Sequence, residues 1–171
     1  MRILLSLLLL SLAAQVNAQS SEPDDPSNRE LVQISAETVR AALQVLGAGE
    51  VPQAKPRADM MLAQFPNGSR FILRVSACTT PGSSCRTLSL VSFFELPPGL
   101  EREKVEDVLF DYAADHPFVN LSMAPDGHMP KMSRDVVGHF GVPRGNLYVE
   151  LVSFSKNVEQ FRDALKAAAK P

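Results

Sequence analysis

Two stretches decide the fold, RFILRVSAC at residues 70–78 and CRTLSLVSFFEL at residues 85–96. Apolar and polar side chains alternate along both, and a period of two is typical of a β-strand with one buried face. The segment TTPGSS between them is rich in turn-forming residues. The two stretches therefore predict an antiparallel hairpin.

The alternation sorts the side chains of the hairpin onto two faces. One face is the predicted core and carries Phe71, Leu73, Val75 and Ala77 on the first strand, with Arg86, Leu88, Leu90, Ser92, Phe94 and Leu96 on the second. The other face is less apolar but still holds Ile72, Val91 and Phe93. Apolar side chains on the outer face of a sheet can mark an interaction surface. These three residues are therefore the candidate partner surface.

Cys78 and Cys85 are the only cysteines of the chain. Both fall on the less apolar face by alternation, and antiparallel pairing brings them together at the mouth of the turn. A disulfide there closes an eight-residue loop and, by loop entropy, contributes roughly 2 to 3 kcal/mol. Redox catalysis is the alternative, but a catalytic dithiol usually has two intervening residues at a helix start, whereas six residues intervene here. The spacing favours a structural disulfide.

On the N-terminal side of the hairpin, the pattern predicts a helix, a loop and a first strand. Ser35 is a candidate N-cap for a helix that ends near Leu46, before a Gly-Ala-Gly stop. Residues 50–57 contain two prolines and are predicted to be a loop. Residues 60–65 form a strand that ends at Pro66-Asn67-Gly68, and Asn-Gly is a strong hairpin signal. The triplet Asn67-Gly68-Ser69 also matches a glycosylation acceptor.

On the C-terminal side, residues 100–115 have helical periodicity, and residues 119–123 and about 129–137 are predicted strands. Pro130 and Arg134 interrupt the pattern of the last strand, and an edge position would tolerate this interruption. A long apolar stripe follows, made of Leu147, Leu151, Phe154, Val158, Phe161 and Leu165. It fits a coiled-coil seam or a helix packed across a sheet, and the extra apolar residues beside it favour packing on a sheet.

The element order α-β-β-β-α-β-β-α predicts an α+β fold, an antiparallel sheet with packed helices. Residues 1–18 have a charged start, a leucine-rich run and an Ala-rich end, which is typical of a cleavable signal peptide. Residues 19–29 are polar and acidic and are predicted to be a disordered leader. Residues 30–171 form the single predicted domain. We therefore expect a periplasmic or secreted protein that has no membrane segment after cleavage.

Charge and motifs exclude several functions. Without the first 18 residues the chain carries 16 basic and 19 acidic residues, a formal charge of −3, which gives no reason to expect nucleic-acid binding. No nucleophile motif and no glycine-rich phosphate loop occurs. The three histidines, His116, His128 and His139, lack the spacing of metal ligands. The sequence predicts no enzyme activity, no cofactor and no metal.

The pattern as a whole resembles the YbjN-domain family, a group labelled bacterial sensory transduction regulators. The residues that carry the resemblance run from about residue 31 to 165: a first helix ending at Leu46-Gly47, the strand at residues 71–75 leading to the two cysteines, and the stretch FRDAL at residues 161–165. The resemblance implies an α+β domain similar to type III secretion chaperones and a binding or regulatory role instead of catalysis. The implied role rests on similarity of fold and not on a functional motif.

Two functional hypotheses follow. The first is a non-catalytic, chaperone-like or regulatory module of the periplasm that engages an unidentified protein partner through Ile72, Val91 and Phe93. The alternative is a small-molecule or metal-responsive sensor of the bacterial envelope that uses the histidines and acids of residues 115–141. Homodimerisation through the C-terminal helix is compatible with both.

Overall fold

The computed structural model describes residues 26–53 and 55–170 and confirms the α+β class. A 3-10 helix at Pro26–Arg29 comes first. The elements that follow are β1 (Leu31–Val32), α1 (Ala36–Val45), β2 (Gly49–Val51), β3 (Met60–Gln64), β4 (Arg70–Ser76), β5 (Thr87–Phe93), α2 (Arg102–Asp115), β6 (Asn120–Met123), β7 (Pro130–Val137), β8 (Val142–Pro143) and α3 (Arg144–Ala168).

The main sheet has six antiparallel strands in the order β2-β3-β4-β5-β7-β6. The predicted hairpin is its centre, where Leu73 pairs with Leu90 and Val75 pairs with Leu88. Both β5 and β6 run antiparallel to β7, so they are parallel to each other, and α2 makes the crossover between them. A second, two-stranded sheet joins β1 to β8.

One face of the main sheet is covered by helices, and the core lies between them. The predicted stripe of α3 is confirmed, since all six of its apolar residues are buried. Phe154 of that stripe packs edge-on against Phe71 of β4, with ring centroids 5.0 Å apart, and Phe71 stacks on Phe65 at 5.1 Å. Helix packing on a sheet, and not a coiled-coil seam, therefore explains the periodicity of α3.

The turn between β3 and β4 fastens the sheet to α3. Gly68 has a φ of 78°, which favours glycine, and the Phe65 N–H donates to the Ser69 carbonyl to close the turn. Ser69 is fully buried, and its hydroxyl donates to the Ser155 carbonyl of α3 at 2.8 Å. The Asn67 amide donates to Glu159 at 2.9 Å. The predicted hairpin signal is confirmed, and the Asn67 side chain that a glycan would need is engaged by α3.

Helix α1 begins as predicted. The Ser35 hydroxyl accepts a hydrogen bond from the Thr38 N–H at 3.0 Å, the geometry of an N-cap.

Two expectations for the strands were wrong. The start of the predicted loop at residues 50–57 is instead part of the edge strand β2, because β3 pairs with Val51, Glu50 and Gly49. The strand with Pro130 lies between β5 and β6 and not at an edge. Proline is tolerated there because Pro130 is the first residue of β7, where the ladder begins.

The predicted signal peptide at residues 1–18 and the start of the predicted leader lie outside the described residues. The last four residues of that leader were wrongly expected to be disordered, since they form the 3-10 helix that packs on α3. The 3-10 helix lies close to the start of α3, because a Cβ on Gly145 would lie 3.2 Å from the Asn28 carbonyl oxygen. The Arg144 N–H also donates to the Glu30 carbonyl, so the described chain is tied to α3 from its start.

Candidate functional site

The second face of the main sheet, which we call the open face, lies opposite the helices. Its central row is apolar across four adjacent strands: Val51 pairs with Leu62, Leu62 with Ile72, and Ile72 with Val91. All four side chains are half-buried although no helix is packed above them in the described chain. The row ends at β7, where Val91 pairs with Ser133.

The structure brings the three predicted surface residues together. Ile72 and Val91 are direct cross-strand partners, and Phe93 lies two residues beyond Val91 on the same face. Phe93 is 44% exposed, more than its two neighbours, because it is the last residue of β5. Sequence analysis did not identify Val51 and Leu62 as members of the row. Val51 was predicted to lie in a loop, and the side chains of the predicted strand at residues 60–65 were not assigned to faces of the sheet.

Charged side chains flank the apolar row on the open face. Arg57 holds the Asp59 carboxylate with two hydrogen bonds of 3.0 and 2.9 Å, and the Arg74 Nε approaches the same carboxylate at 3.3 Å. The hydrogen bonds from Arg57, with a smaller contribution from Arg74, hold the pKa of Asp59 below its ordinary value of 3.8. On the other side of the row, Arg70 donates to the side-chain oxygen of Gln64 at 2.9 Å.

A groove adjoins the open face where β5 ends and the C-terminal half of α3 passes by; we call it the β5–α3 groove. Its volume is about 560 Å³. The apolar residues that line the groove are Phe93, Phe94, Leu96, Pro97, Pro98 and Val158, and the remaining lining residues are Gly68, Arg70, Ser92, Glu95, Arg162 and Lys166. Phe93 and Arg70 belong to both the groove and the open face, so the two surfaces are continuous.

Sequence reasoning missed the cations of this groove. Arg162 and Lys166 follow Val158 at a spacing of four, which places all three on one side of α3. That spacing is visible in the sequence. Their convergence with Arg70 is not, because it depends on α3 crossing the sheet near the turn at Gly68.

Cys78 and Cys85 form the predicted disulfide. The expected position of Cys85 on the less apolar face was wrong: its side chain is only 1% exposed and belongs to the core. Regular alternation stops at Ala77, whose φ of 52° breaks the strand and leaves that predicted core residue exposed. The Cys85 N–H donates to the Ile34 carbonyl at 2.7 Å, so the disulfide loop is anchored at the start of α1 and makes a structural crosslink.

The histidines do not converge on one site. His116 stacks on Tyr112 with a centroid separation of 3.8 Å, and its Nδ1 lies 3.0 Å from the Tyr112 carbonyl oxygen. His128 and His139 are exposed in separate turns. Among the described residues, no cluster of three or more histidine, cysteine or acidic side chains could hold a metal ion. Nothing in this region favours the sensor hypothesis.

Burial between α2 and α3 keeps Tyr112 protonated. Tyr112 of α2 lies against Phe161 of α3, and desolvation raises the pKa of Tyr112 to about 12. Its hydroxyl is 3.1 Å from both the carbonyl and the side-chain oxygen of Asn157. Tyr112 therefore acts as a neutral hydrogen-bond donor that joins α2 to α3.

None of the helices in the described part of the chain combines the length and apolar character needed to cross a lipid bilayer. No family model and no curated protein matches the sequence. Solved structures do match the fold. The crystal structure of YbjN, a candidate transcription regulator from E. coli, is similar with a TM-score of 0.57 at 14% identity, over 82% of this chain and 95% of that chain.

Two further structures share the fold at lower similarity. An uncharacterized protein from Methanothermobacter thermautotrophicus matches with a TM-score of 0.50 at 14% identity, over 78% of this chain and 94% of that one. A chain of the HopA1-SchA chaperone-effector complex matches with a TM-score of 0.50 at 9% identity, over 74% and 91% of the two chains. At these identities the similarity shows a YbjN-like, chaperone-like fold and no more. The expected fold is confirmed.

Proposed function

We propose that this chain is a non-catalytic binding module of the bacterial envelope that engages a protein partner through the open face of its sheet. The observation that carries the proposal is the apolar row of Val51, Leu62, Ile72 and Val91, which extends to the exposed ring of Phe93. Apolar side chains that adjoin across four strands form a continuous surface whose burial is favourable by about 25 cal/mol per Å².

The fold is consistent with such a role. One similar structure is a chaperone-effector complex and another is a candidate transcription regulator, and neither description names an enzyme. Because the fold is shared at low identity, the assignment to this chain rests on the open face itself and not on the relatives.

The decisive experiment replaces apolar side chains of the open face and measures partner capture. Purified wild-type protein and the variants Val91→Glu and Phe93→Glu are immobilised, and proteins retained from a periplasmic extract are quantified by mass spectrometry. We expect a specific set of proteins to be retained by the wild type and lost with both variants, because a buried carboxylate is costly in an apolar interface.

A matched control distinguishes binding through the open face from non-specific capture by exposed apolar side chains. Phe110 lies on α2, outside the sheet, and is 75% exposed, so Phe110→Glu removes an exposed phenylalanine elsewhere on the molecule. Phe110→Glu should retain the same proteins as the wild type. Identical capture by all four proteins would contradict a role of the open face.

Export is part of the proposal and has its own test. Residues 1–18 have the pattern of a signal peptide, and the disulfide between Cys78 and Cys85 is of a type that persists in oxidising compartments. Intact-mass spectrometry of protein recovered from cells should give a chain that starts at Gln19 and lacks two hydrogens. A full-length mass with two free thiols would contradict export.

A further inference from the structure

The β5–α3 groove contains both apolar and cationic side chains. Its apolar lining includes Phe93, Leu96 and Pro97. Three cationic side chains, Arg70, Arg162 and Lys166, also line the groove, whereas Glu95 is the single carboxylate of the lining. A groove of this kind suits a ligand that has both an apolar side chain and negative charge.

Arg162 is held in place but is incompletely paired. One guanidinium nitrogen donates to the Gly68 carbonyl at 3.4 Å, which fixes the side chain over the turn between β3 and β4. Its Nε is buried and makes no hydrogen bond within the described chain, and the nearest carboxylate oxygen, on Asp163, is 4.0 Å away. The side chain is nevertheless 35% exposed, and its second terminal nitrogen makes no hydrogen bond within the described chain, so Arg162 keeps a donor for an external acceptor.

The other two cations keep donors available for a ligand. Lys166 is 60% exposed and has only Asp163 as a described partner, at 3.2 Å, although an ammonium group has three donors. Arg70 uses Nε for the bond to Gln64, which leaves the two terminal nitrogens of its guanidinium without a described hydrogen bond. Carboxylate groups match these donors, because they accept from guanidinium and ammonium groups in charge-assisted bonds.

We infer that the β5–α3 groove binds an acidic peptide segment, with carboxylates on Arg70, Arg162 and Lys166 and an apolar side chain against Phe93 and Leu96. The inference rests on the proposed function and specifies the chemistry of the partner. The groove is continuous with the open face through Phe93, so one partner segment reaches both surfaces. A protein segment fits better than a compact inorganic anion, because half of the lining is apolar.

The test measures fluorescence anisotropy of labelled peptides added to the full chain. The main probe contains two leucines flanked by glutamates; a second has glutamine in place of every glutamate, and a third has serine in place of both leucines. We expect the acidic leucine peptide to bind most tightly and its affinity to fall as sodium chloride is added. Equal affinity for the glutamine peptide would overturn the inference.

Groove variants locate the binding. Arg162→Glu and Lys166→Glu should each weaken binding of the acidic leucine peptide by about tenfold, the size expected for loss of a charge-assisted pair. Lys156→Glu is the matched control, because Lys156 is an exposed cation of the same helix that does not line the groove. It should bind like the wild type. Circular dichroism confirms that each variant is folded, and Lys166→Glu serves even where Arg162→Glu is unstable.

The remaining outcomes separate this inference from the proposed function. An oligothymidylate that binds as tightly as the peptide would overturn it in favour of general polyanion binding. No binding of the acidic peptide at high micromolar protein would also overturn it. If the groove variants bind like the wild type while Val91→Glu still loses its captured proteins, the groove fails and the open-face proposal stands. If the groove variants lose the acidic peptide while Val91→Glu keeps its captured proteins, the groove inference stands and the open-face proposal fails.

Discussion

The two faces of the main sheet are built from the same strands but have different compositions. On the covered face, residues such as Leu73, Leu88 and Leu90 are fully buried. On the open face, the neighbouring residues Ile72, Ser89 and Val91 are only half-buried, and apolar residues occur in one row between charged ones. The covered face stabilises the fold, whereas the open face has apolar surface that the fold does not bury.

The comparison teaches where substitutions should affect stability and where they should affect binding. Burial of apolar area is favourable only where a partner element removes it from water. The helices do so on the covered face. On the open face, that free energy remains available to a binding partner.

The largest expected effect comes from adjacent residues of β4 that point to opposite faces. Phe71→Ala should lower the free energy of unfolding by about 3–5 kcal/mol, because the ring packs between Phe65 and Phe154 and leaves a cavity. Ile72→Ala should cost about 1 kcal/mol, since its side chain is half-buried. Urea denaturation measures both. Similar losses for the two variants would mean that the open face is part of the core.

The next effect concerns the crosslink at the end of the hairpin. Replacing both Cys78 and Cys85 by alanine should lower stability by about 2.5 kcal/mol, through the entropy of an eight-residue loop in the unfolded chain. Cys85→Ser should be worse than Cys78→Ser by about 1 kcal/mol, because Cys85 is in the core and a buried hydroxyl is costly. Thermal unfolding of the single variants gives the comparison, and equal midpoints would contradict the burial of Cys85.

A smaller effect is expected where the covered face is fastened to α3. Ser69→Ala removes the hydroxyl that donates to the Ser155 carbonyl and should cost about 1–2 kcal/mol. Ser133→Ala is the control on the open face and should change stability by less than about 0.5 kcal/mol. Chemical denaturation of the two variants tests whether this buried hydrogen bond contributes more than a serine on the open face.

Alkaline titration measures the ionisation of Tyr112, which is buried between α2 and α3. The pKa of Tyr112 is raised to about 12, so stability linked to this group is complete below the ordinary tyrosine pKa of 10.0 and is lost as pH rises towards 12. Tyr112 and Tyr148 are the two tyrosines of the chain, and it has no tryptophan. Absorbance of tyrosinate should show a late step that disappears in Tyr112→Phe. A late step that persists in that variant would contradict burial as its cause.

The smallest effect is expected at the margin of the open face. The pKa of Asp59 lies below 3.8 because Arg57 and Arg74 stabilise the carboxylate. Its contribution to stability is present above pH 3.8 and is lost as pH falls through the lower native pKa. Asp59→Asn should therefore slightly lower the free energy of unfolding at neutral pH, where this contribution is present, and slightly flatten the acid limb of the stability curve. An unaltered acid limb would show that these exposed ion pairs contribute nothing measurable.

Local patterns predicted most of the covered face. The six apolar residues of α3 recur at spacings of three and four, and a helix puts such residues on one side whatever surrounds it. The pairing of β4 with β5 followed from alternation and a short turn, because local connections fix register. For the same reason Ile72, Val91 and Phe93 were correctly predicted to share a face.

These local patterns did not predict the pairing of strands that are distant in the sequence. The strand β2 has only three residues, with no alternation of its own, and it exists because β3 offers it a free edge. The position of β7 between β5 and β6 depends on where α2 returns the chain. Cys85 was misplaced because it precedes β5, which begins at Thr87, and directly follows Ser84, whose φ of 48° departs from the extended backbone that alternation assumes.

By itself, the sequence determined the helices, the central hairpin, the disulfide pair and the three apolar residues of the outer face, since each depends on neighbours along the chain. Only the tertiary structure decided the strand order, the burial of Cys85 and the β5–α3 groove. Arg70 and Arg162 are 92 residues apart in the sequence and line one groove because α3 packs across the sheet. Such convergence depends on packing between distant segments, which no local pattern encodes.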